Sequence, residues 1–300
     1  MTRSRRLVLA LIIDLVLVVA EGLGGLFAHS SGLVATAGHD LADAAALGIA
    51  LVAIRLTLKP ATAAKSFGYH RATILAALAN ATAIVIVGFG VIALATYRLV
   101  HPVQVHGDLM MIFAGAGLVG NAAAALVLRE TSGDLNFRAV ALHFTGDAGA
   151  ALGVMVAGAV IAATGRFEAI DPAAALLITL LIGAKAWRLV RASSEILLES
   201  TPADLDVAAL VSVISATEGV TAVHDLHCWS LSSDFRALSA HLVLDGHPTL
   251  EEAQVVGERV KSSVGRRFNV AHATFEMECE PCADDVSEAC AVDPVLHLAE

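Results

Sequence analysis

Gly32–Leu58 reads GLVATAGHDLADAAALGIALVAIRLTL, a run of apolar and small residues interrupted near its middle by His39, Asp40 and Asp43. As a helix it would cover about 40 Å, more than the ~30 Å of hydrocarbon in a bilayer. A soluble helix of this composition would turn apolar side chains to water on every face. A membrane helix presents them to lipid and keeps its few ionisable groups inside the bundle. The rest of the chain extends this reading. Apolar residues make up 57% of the 300, and five further runs are long enough to cross a membrane: Leu7–Ala28, Ala72–Val100, Gly107–Leu128, Ala139–Thr164 and Pro172–Leu189. The breaks between runs carry helix-ending residues, among them Pro60, Gly68, Pro102, Gly133, Gly165 and Asp171–Pro172. The expectation is a multi-pass, all-α bundle of six transmembrane helices over residues 1–200. The first run starts on basic residues, but it is long and no small-residue cleavage site follows, so it reads as a retained helix.

Charge divides the chain. Residues 1–191 hold 14 Lys/Arg against 10 Asp/Glu, and residues 192–300 hold 5 against 19. With the N-terminus inside, the flanks on that side carry twelve basic residues, and the opposite flanks carry only Arg98 and Arg166. The positive-inside rule then puts both termini in the cytoplasm. The acidic C-terminal part is a poor partner for nucleic acid or anionic lipid. All four cysteines, Cys228, Cys279, Cys282 and Cys290, lie there; they read as cytoplasmic thiols rather than a disulfide framework.

Residues 201–278 have the periodicities of a small soluble domain. Ala203–Thr217 reads as a helix. Val220–Leu231 and Phe235–Leu244 read as strands of a hairpin, Thr249–Phe268 as an amphipathic helix capped by Thr249, and Ala273–Glu278 as a third strand. The order αββαβ predicts an α+β sandwich. Residues 279–300 form an acidic, cysteine-containing tail without a clear period.

Ionisable residues at membrane depth are costly and usually paired. His39 and Asp43 are four apart on the second helix, and His143 and Asp147 are four apart on the fifth, so each pair shares one helix face. If the two faces meet, two imidazoles and two carboxylates surround one point, a four-coordinate set that suits Zn²⁺ and tolerates Co²⁺ or Cd²⁺. The plainer alternative is two separate hydrogen-bonded pairs that hold helices together. A histidine must be neutral and a carboxylate ionised to bind metal, so protons compete for the same lone pairs and are the natural counter-ion. Asp40, about 100° around the helix from His39, reads as a support for the ligands or a proton relay. Glu21 and Asp14 share one face of the first helix. They either line a water path in the same relay or bond to Asn80 and Asn121; of the two, the structural role is the simpler. In the C-terminal part, His224, His227, Cys228, His241, His247, His272, Glu276, Glu278, Cys279 and Cys282 make a second candidate metal cluster. On a regular strand, His224 would share a face with Leu226 and Cys228, and His227 would point the other way.

Gly38-His39-Asp40-Leu41-Ala42-Asp43, Ser66-Phe67-Gly68-Tyr69-His70-Arg71, Leu142-His143-Phe144-Thr145-Gly146-Asp147 and Val223-His224-Asp225-Leu226-His227-Cys228-Trp229-Ser230 stand in the order and spacing of a known family. From about Leu7 to Glu278 the chain resembles the cation diffusion facilitators, closest to the bacterial zinc/cadmium/cobalt efflux branch. The resemblance implies a homodimeric metal/proton antiporter of the bacterial inner membrane, with a metallochaperone-like (ferredoxin-like) cytoplasmic domain. It assigns the transported metal to His39, Asp43, His143 and Asp147. Cytoplasmic zinc ligands would fall among His224, His227, His241, His272, Glu278, Cys279 and Cys282, and an interdomain charge contact on Arg71 and Glu199. The link after the second helix keeps only Lys65 and His70 where some members carry metal ligands, so no metal is expected there. A membrane-embedded zinc metalloenzyme and a metal-sensing scaffold are the alternatives. The first lacks an evident general base outside the ligand set, and the second leaves the two membrane pairs unexplained.

Overall fold

The computed structural model describes residues 3–129, 135–232 and 235–280. Contact clustering divides the chain into two units, residues 1–53 with 76–191 and residues 54–75 with 192–300.

The first unit is built from α1 (Arg3–Phe27), α2 (Ser31–Thr57), α3 (Ala72–Val100), α4 (Gly107–Arg129), α5 (Leu135–Thr164) and α6 (Ile170–Leu197), the ends of α2, α3 and α6 running on into the second unit. Among the described residues, α1, α3, α4, α5 and α6 are long and apolar enough to cross a membrane. The bundle turns Ile86, Phe89, Val119 and Leu180 outward, each more than half exposed, which is the surface lipid requires and water would penalise. The closest packing joins α4 to α5 and α1 to α4. Glycine permits the α4–α5 approach: a Cβ on Gly107 would lie 2.5 Å from the Ala162 amide nitrogen, and one on Gly158 would lie 2.9 Å from that of Met111.

The end of the bundle formed by links 28–30, 101–106 and 165–169, here called the distal end, is tightly sealed. Leu33, Met110 and Val154 are fully buried there, packed with Ala28, Val105 and Ile161. Asp171, also fully buried, reaches from α6 to the start of α2. Its carboxylate accepts from Ser30 Oγ (2.5 Å), Ser31 N and Oγ (both 2.7 Å) and Gly32 N (3.0 Å). Those amides are the unpaired donors of a helix N-terminus, and a carboxylate meets both their hydrogen bonds and the positive end of the helix dipole. Arg98 donates to the His29 carbonyl at 2.6 Å and lies 4.0 Å from Asp171. Asp171 read in the sequence only as a helix stop; in the fold it caps a different helix.

The second unit contains α7 (Val207–Ser215), β1 (Val220–Ser232), β2 (Phe235–Leu244), α8 (Leu250–Phe268) and β3 (Val270–Glu278). The sheet order is β1-β2-β3, with β2 antiparallel to β1 and parallel to β3 through the α8 crossover. Leu210 and Ile214 of α7 and Val260 and Val264 of α8 pack with Leu238, Ala240 and Leu242 of β2, leaving the other sheet face without helices from this set. A capping box of Thr249 and Glu252 starts α8, and Asn269, in the left-handed conformation at φ 56°, ends it. Two expected boundaries shift. The first helix begins at Val207, because Asp206 caps it by accepting from Ala209 N, and Ala203 lies outside it. The third strand begins at Val270, directly after the Asn269 cap.

Candidate metal centres

The i,i+4 spacing on α2 stacks His39 over Asp43, and the same spacing on α5 stacks His143 over Asp147. The helices bring the two stacks face to face. His39 Nε2 is 3.4 Å from Asp43 Oδ2 and 3.4 Å from Asp147 Oδ1. His143 Nε2 is 3.0 Å from Asp43 Oδ2 and 3.6 Å from Asp147 Oδ2. Each imidazole thus sits between both carboxylates, and the pairs are not two separate hydrogen-bonded couples. A tetrahedron of zinc bonds near 2.0–2.1 Å has edges of about 3.3 Å, so these approaches are ligand-to-ligand distances on that scale. Ligand atoms of His39, Asp43 and His143 all lie within 4.8 Å of one another. Asp147 completes the ring by offering one oxygen to each histidine.

These residues line a cavity of about 720 Å³ that also reaches Glu21, Asp40, Asn121 and, on α6, Lys185 and Leu189. Glu21, Asp40 and Asn121 are all at least 97% buried, being 1%, 3% and 2% exposed. Glu21 Oε2, Asp40 Oδ2 and Asn121 Oδ1 have no hydrogen-bond partner among the described residues. The simpler expectation, in which Glu21 is bonded to Asn121 as helix glue, therefore gives way to a cavity-lining position. Asp14 is buried two turns from Glu21 along α1.

The second unit gathers another group. His224 and His241 are directly paired residues of β1 and β2, with ring centroids 5.1 Å apart. Glu278 of β3 sits against both, Oε2 at 2.8 Å from His224 Nε2 and Oε1 at 2.8 Å from His241 Nδ1. Asp225 Oδ2 and Glu276 Oε2 each lie 3.4 Å from His241 Nε2, and Asp225 Oδ1 lies 3.0 Å from His227 Nε2. Ligand atoms of His224, His241 and Glu278 are within 4.8 Å of one another.

A register break between His224 and His227, with Asp225 at φ 47°, makes this arrangement and overturns the regular-strand expectation. The bulge buries both Val223 and Leu226, so His224 faces away from Leu226 and Cys228 rather than with them. Cys228 is in the apolar core, where burial pushes its thiol up to about 11, and it leaves the candidate ligand set. His272 leaves it too. It lies six residues before Glu278, about 20 Å along a strand, with its ring 5.4 Å from that of Phe67. Cys279 is exposed, and Cys282 lies outside the described residues. Asp225 was missed as a candidate; its one signal was a residue type that tolerates positive φ, set between two histidines.

Arg71 Nη2 donates to Glu199 Oε1 at 2.6 Å, joining the link before α3 to the chain just after α6 inside the second unit. The two side chains are 34% and 60% exposed, so this pair contributes no more than ~1 kcal/mol.

A family model described as the cation efflux transmembrane domain matches residues 7–198, and one described as the cation efflux protein cytoplasmic domain matches residues 202–280. The metal cation efflux system protein CzcD of Cupriavidus metallidurans is 34% identical over 98% of this chain and 92% of its own length. The zinc transporter ZitB of Pectobacterium atrosepticum is 35% identical over 94% and 88%. A Bacillus velezensis protein named cadmium, cobalt and zinc/H(+)-K(+) antiporter is 33% identical over 87% and 83%. A helical membrane unit with facing His/Asp stacks, followed by a three-stranded domain, and matched by these models and relatives over nearly its whole length, identifies this chain as a member of the cation efflux family: a multi-pass membrane transporter of metal cations, and not an enzyme.

Proposed function

We propose that this protein exports Zn²⁺, and with lower selectivity Cd²⁺ and Co²⁺, from the cytoplasm in exchange for protons, and that His39, Asp43, His143 and Asp147 hold the metal in transit. The crossed approaches of two imidazoles and two carboxylates between α2 and α5 carry this reading. Nitrogen and carboxylate oxygen in equal number favour zinc over the harder Mg²⁺ and Ca²⁺. The names of ZitB and of the Bacillus antiporter agree with it in metal class, and the latter also names H⁺ and K⁺.

The basic flanks favour cytoplasmic termini, and the membrane is the bacterial inner membrane. The cavity runs past the four ligands along α6 from Ala174 to Leu189, and the packed distal seal then faces outward. Alternating access requires that seal to open and the cavity to close. Protons compete with the metal for the ligands' lone pairs, so metal affinity falls as they bind. Glu21, Asp40 and Asp14 are positioned to pass or balance that charge. The protein works as a homodimer through its C-terminal domain, where His224, His241 and Glu278, flanked by His227, bind regulatory or structural zinc; Cys279 and Cys282 belong to the tail that modulates it.

Proteoliposomes loaded with a zinc dye and a pH probe test the core of this reading. His39→Ala and Asp147→Ala each abolish zinc uptake together with the coupled proton movement. Wild-type flux in both variants would overturn the assignment.

A further inference from the structure

Three buried oxygen atoms in the cavity have no donor among the described residues. Glu21 comes from α1, Asp40 from α2 and Asn121 from α4, and each has one oxygen without a hydrogen-bond partner. Thr36 stands beside them in the cavity wall, its one hydroxyl proton shared between the Leu33 carbonyl at 3.0 Å and the Glu21 carboxylate. The group has an excess of acceptors and holds two carboxylates away from water, a state that is costly unless a cation is present.

Glycine makes room for it. A Cβ on Gly117 would lie 2.0 Å from Glu21 Oε1 and 3.5 Å from the Ala151 Cβ. Glu21 is therefore level with Ala151, one helical turn distal of Asp147 on α5, and Asn121 is one turn from Gly117 on the same face of α4. Thr36 is one turn distal of Asp40. The oxygen cluster thus begins at the level of the four metal ligands and extends one turn toward the distal seal.

Lys185 does not neutralise it. Gly32 and Asp171 are hydrogen-bonded and so level. Asp40 is eight residues past Gly32, about 12 Å along α2, whereas Lys185 is fourteen past Asp171, about 21 Å along α6.

We propose that Glu21, Asp40, Asn121 and Thr36 form an oxygen-only subsite for the counter-cation, a hard monovalent ion (hydronium or an alkali ion), separate from the nitrogen-containing site of the transported metal. Hard oxygen donors without imidazole or thiolate do not select zinc, and the position lies on the outward route, where an incoming counter-cation meets the outgoing metal. The proposal rests on the reading of His39, Asp43, His143 and Asp147 as the transport site.

The test separates metal binding from energisation in the full-length protein. Zinc affinity is measured in detergent with a competing dye. In proteoliposomes, zinc self-exchange, which needs no counter-ion, is compared with uphill uptake driven by an imposed H⁺, Na⁺ or K⁺ gradient. Glu21→Gln keeps zinc affinity within about twofold and retains self-exchange, but loses gradient-driven accumulation by ~10-fold or more. Gly117→Ala, which displaces the carboxylate without removing it, gives the same split and serves if the first variant misfolds. The driving gradient in the wild type identifies the occupant: pH alone means hydronium, and an alkali gradient at constant pH means that ion. Wild-type accumulation by both variants would overturn the subsite. So would loss of zinc binding in step with accumulation, which would put Glu21 in the metal's own site. If His39→Ala binds and exchanges zinc normally, the transport-site reading falls instead, and the two failures are thereby distinguished.

Discussion

His39 contributes its Nε2 at 3.4 Å from carboxylates on two different helices, so one substitution there reports on both ligand identity and helix pairing. Replacing it by aspartate exchanges a borderline nitrogen for a hard oxygen. His39→Asp lowers zinc affinity by ~10-fold or more and admits Mn²⁺, checked by competition uptake of the two metals. Cys228 gives a second residue-scale test. Buried, and with its thiol pushed up to about 11, it stays unmodified by iodoacetamide at pH 8 in the folded protein and reacts after denaturation. Rapid labelling of the folded protein at Cys228 would contradict its core position. Neither residue's surroundings were legible in sequence to the same degree. The i,i+4 pairs could be read because a helix fixes which side chains share a face. Cys228 was grouped with the histidines because a regular strand was assumed, and one residue in the left-handed region reverses every face that follows it.

Elements tell the same story at larger scale. The six membrane helices could be read from the sequence because lipid demands length and apolarity, and α2 because its exceptions sit on one side. The partner of each helix end could not be, since capping between helices leaves no periodic trace. Asp171 illustrates this: its four hydrogen bonds to the start of α2 come from 139 to 141 residues away in sequence. Asp171→Ala leaves Ser31 N and Gly32 N unpaired inside the distal seal, and should cost ~2–4 kcal/mol of stability. A thermal-unfolding midpoint equal to the wild type's would show that the cap is dispensable. In the C-terminal domain, Arg236 pairs with Asp204 at 2.6 and 2.8 Å, and that hydrogen bond, helped by the guanidinium charge, holds the Asp204 carboxyl below its ordinary 3.8. A lowered carboxyl pKa stabilises the fold above the unfolded value and loses that effect as pH falls through the folded one. The wild type should therefore be more stable than Asp204→Asn at pH 7, and the two should converge below pH 3.8 in acid titrations of unfolding.

For the whole molecule, the described residues hold two clusters of different chemistry. The membrane cluster is two imidazoles and two carboxylates inside a bundle sealed at one end. The second, His224, His241 and Glu278, lies on the open face of a sheet. Removing Cys279–Glu300 changes the metal dependence of uptake while leaving basal flux; no change in that dependence would exclude the tail from regulation. The proposed transport site holds one zinc ion between α2 and α5 through two nitrogens and two oxygens. Zinc K-edge absorption tests it on protein carrying His224→Ala and His241→Ala, which silence the second cluster. Outer-shell scattering from two imidazole rings and four nearest neighbours at ~2.0–2.2 Å is expected, altered by Asp147→Ala. Sulfur in the nearest shell, or a spectrum unchanged by Asp147→Ala, would contradict it.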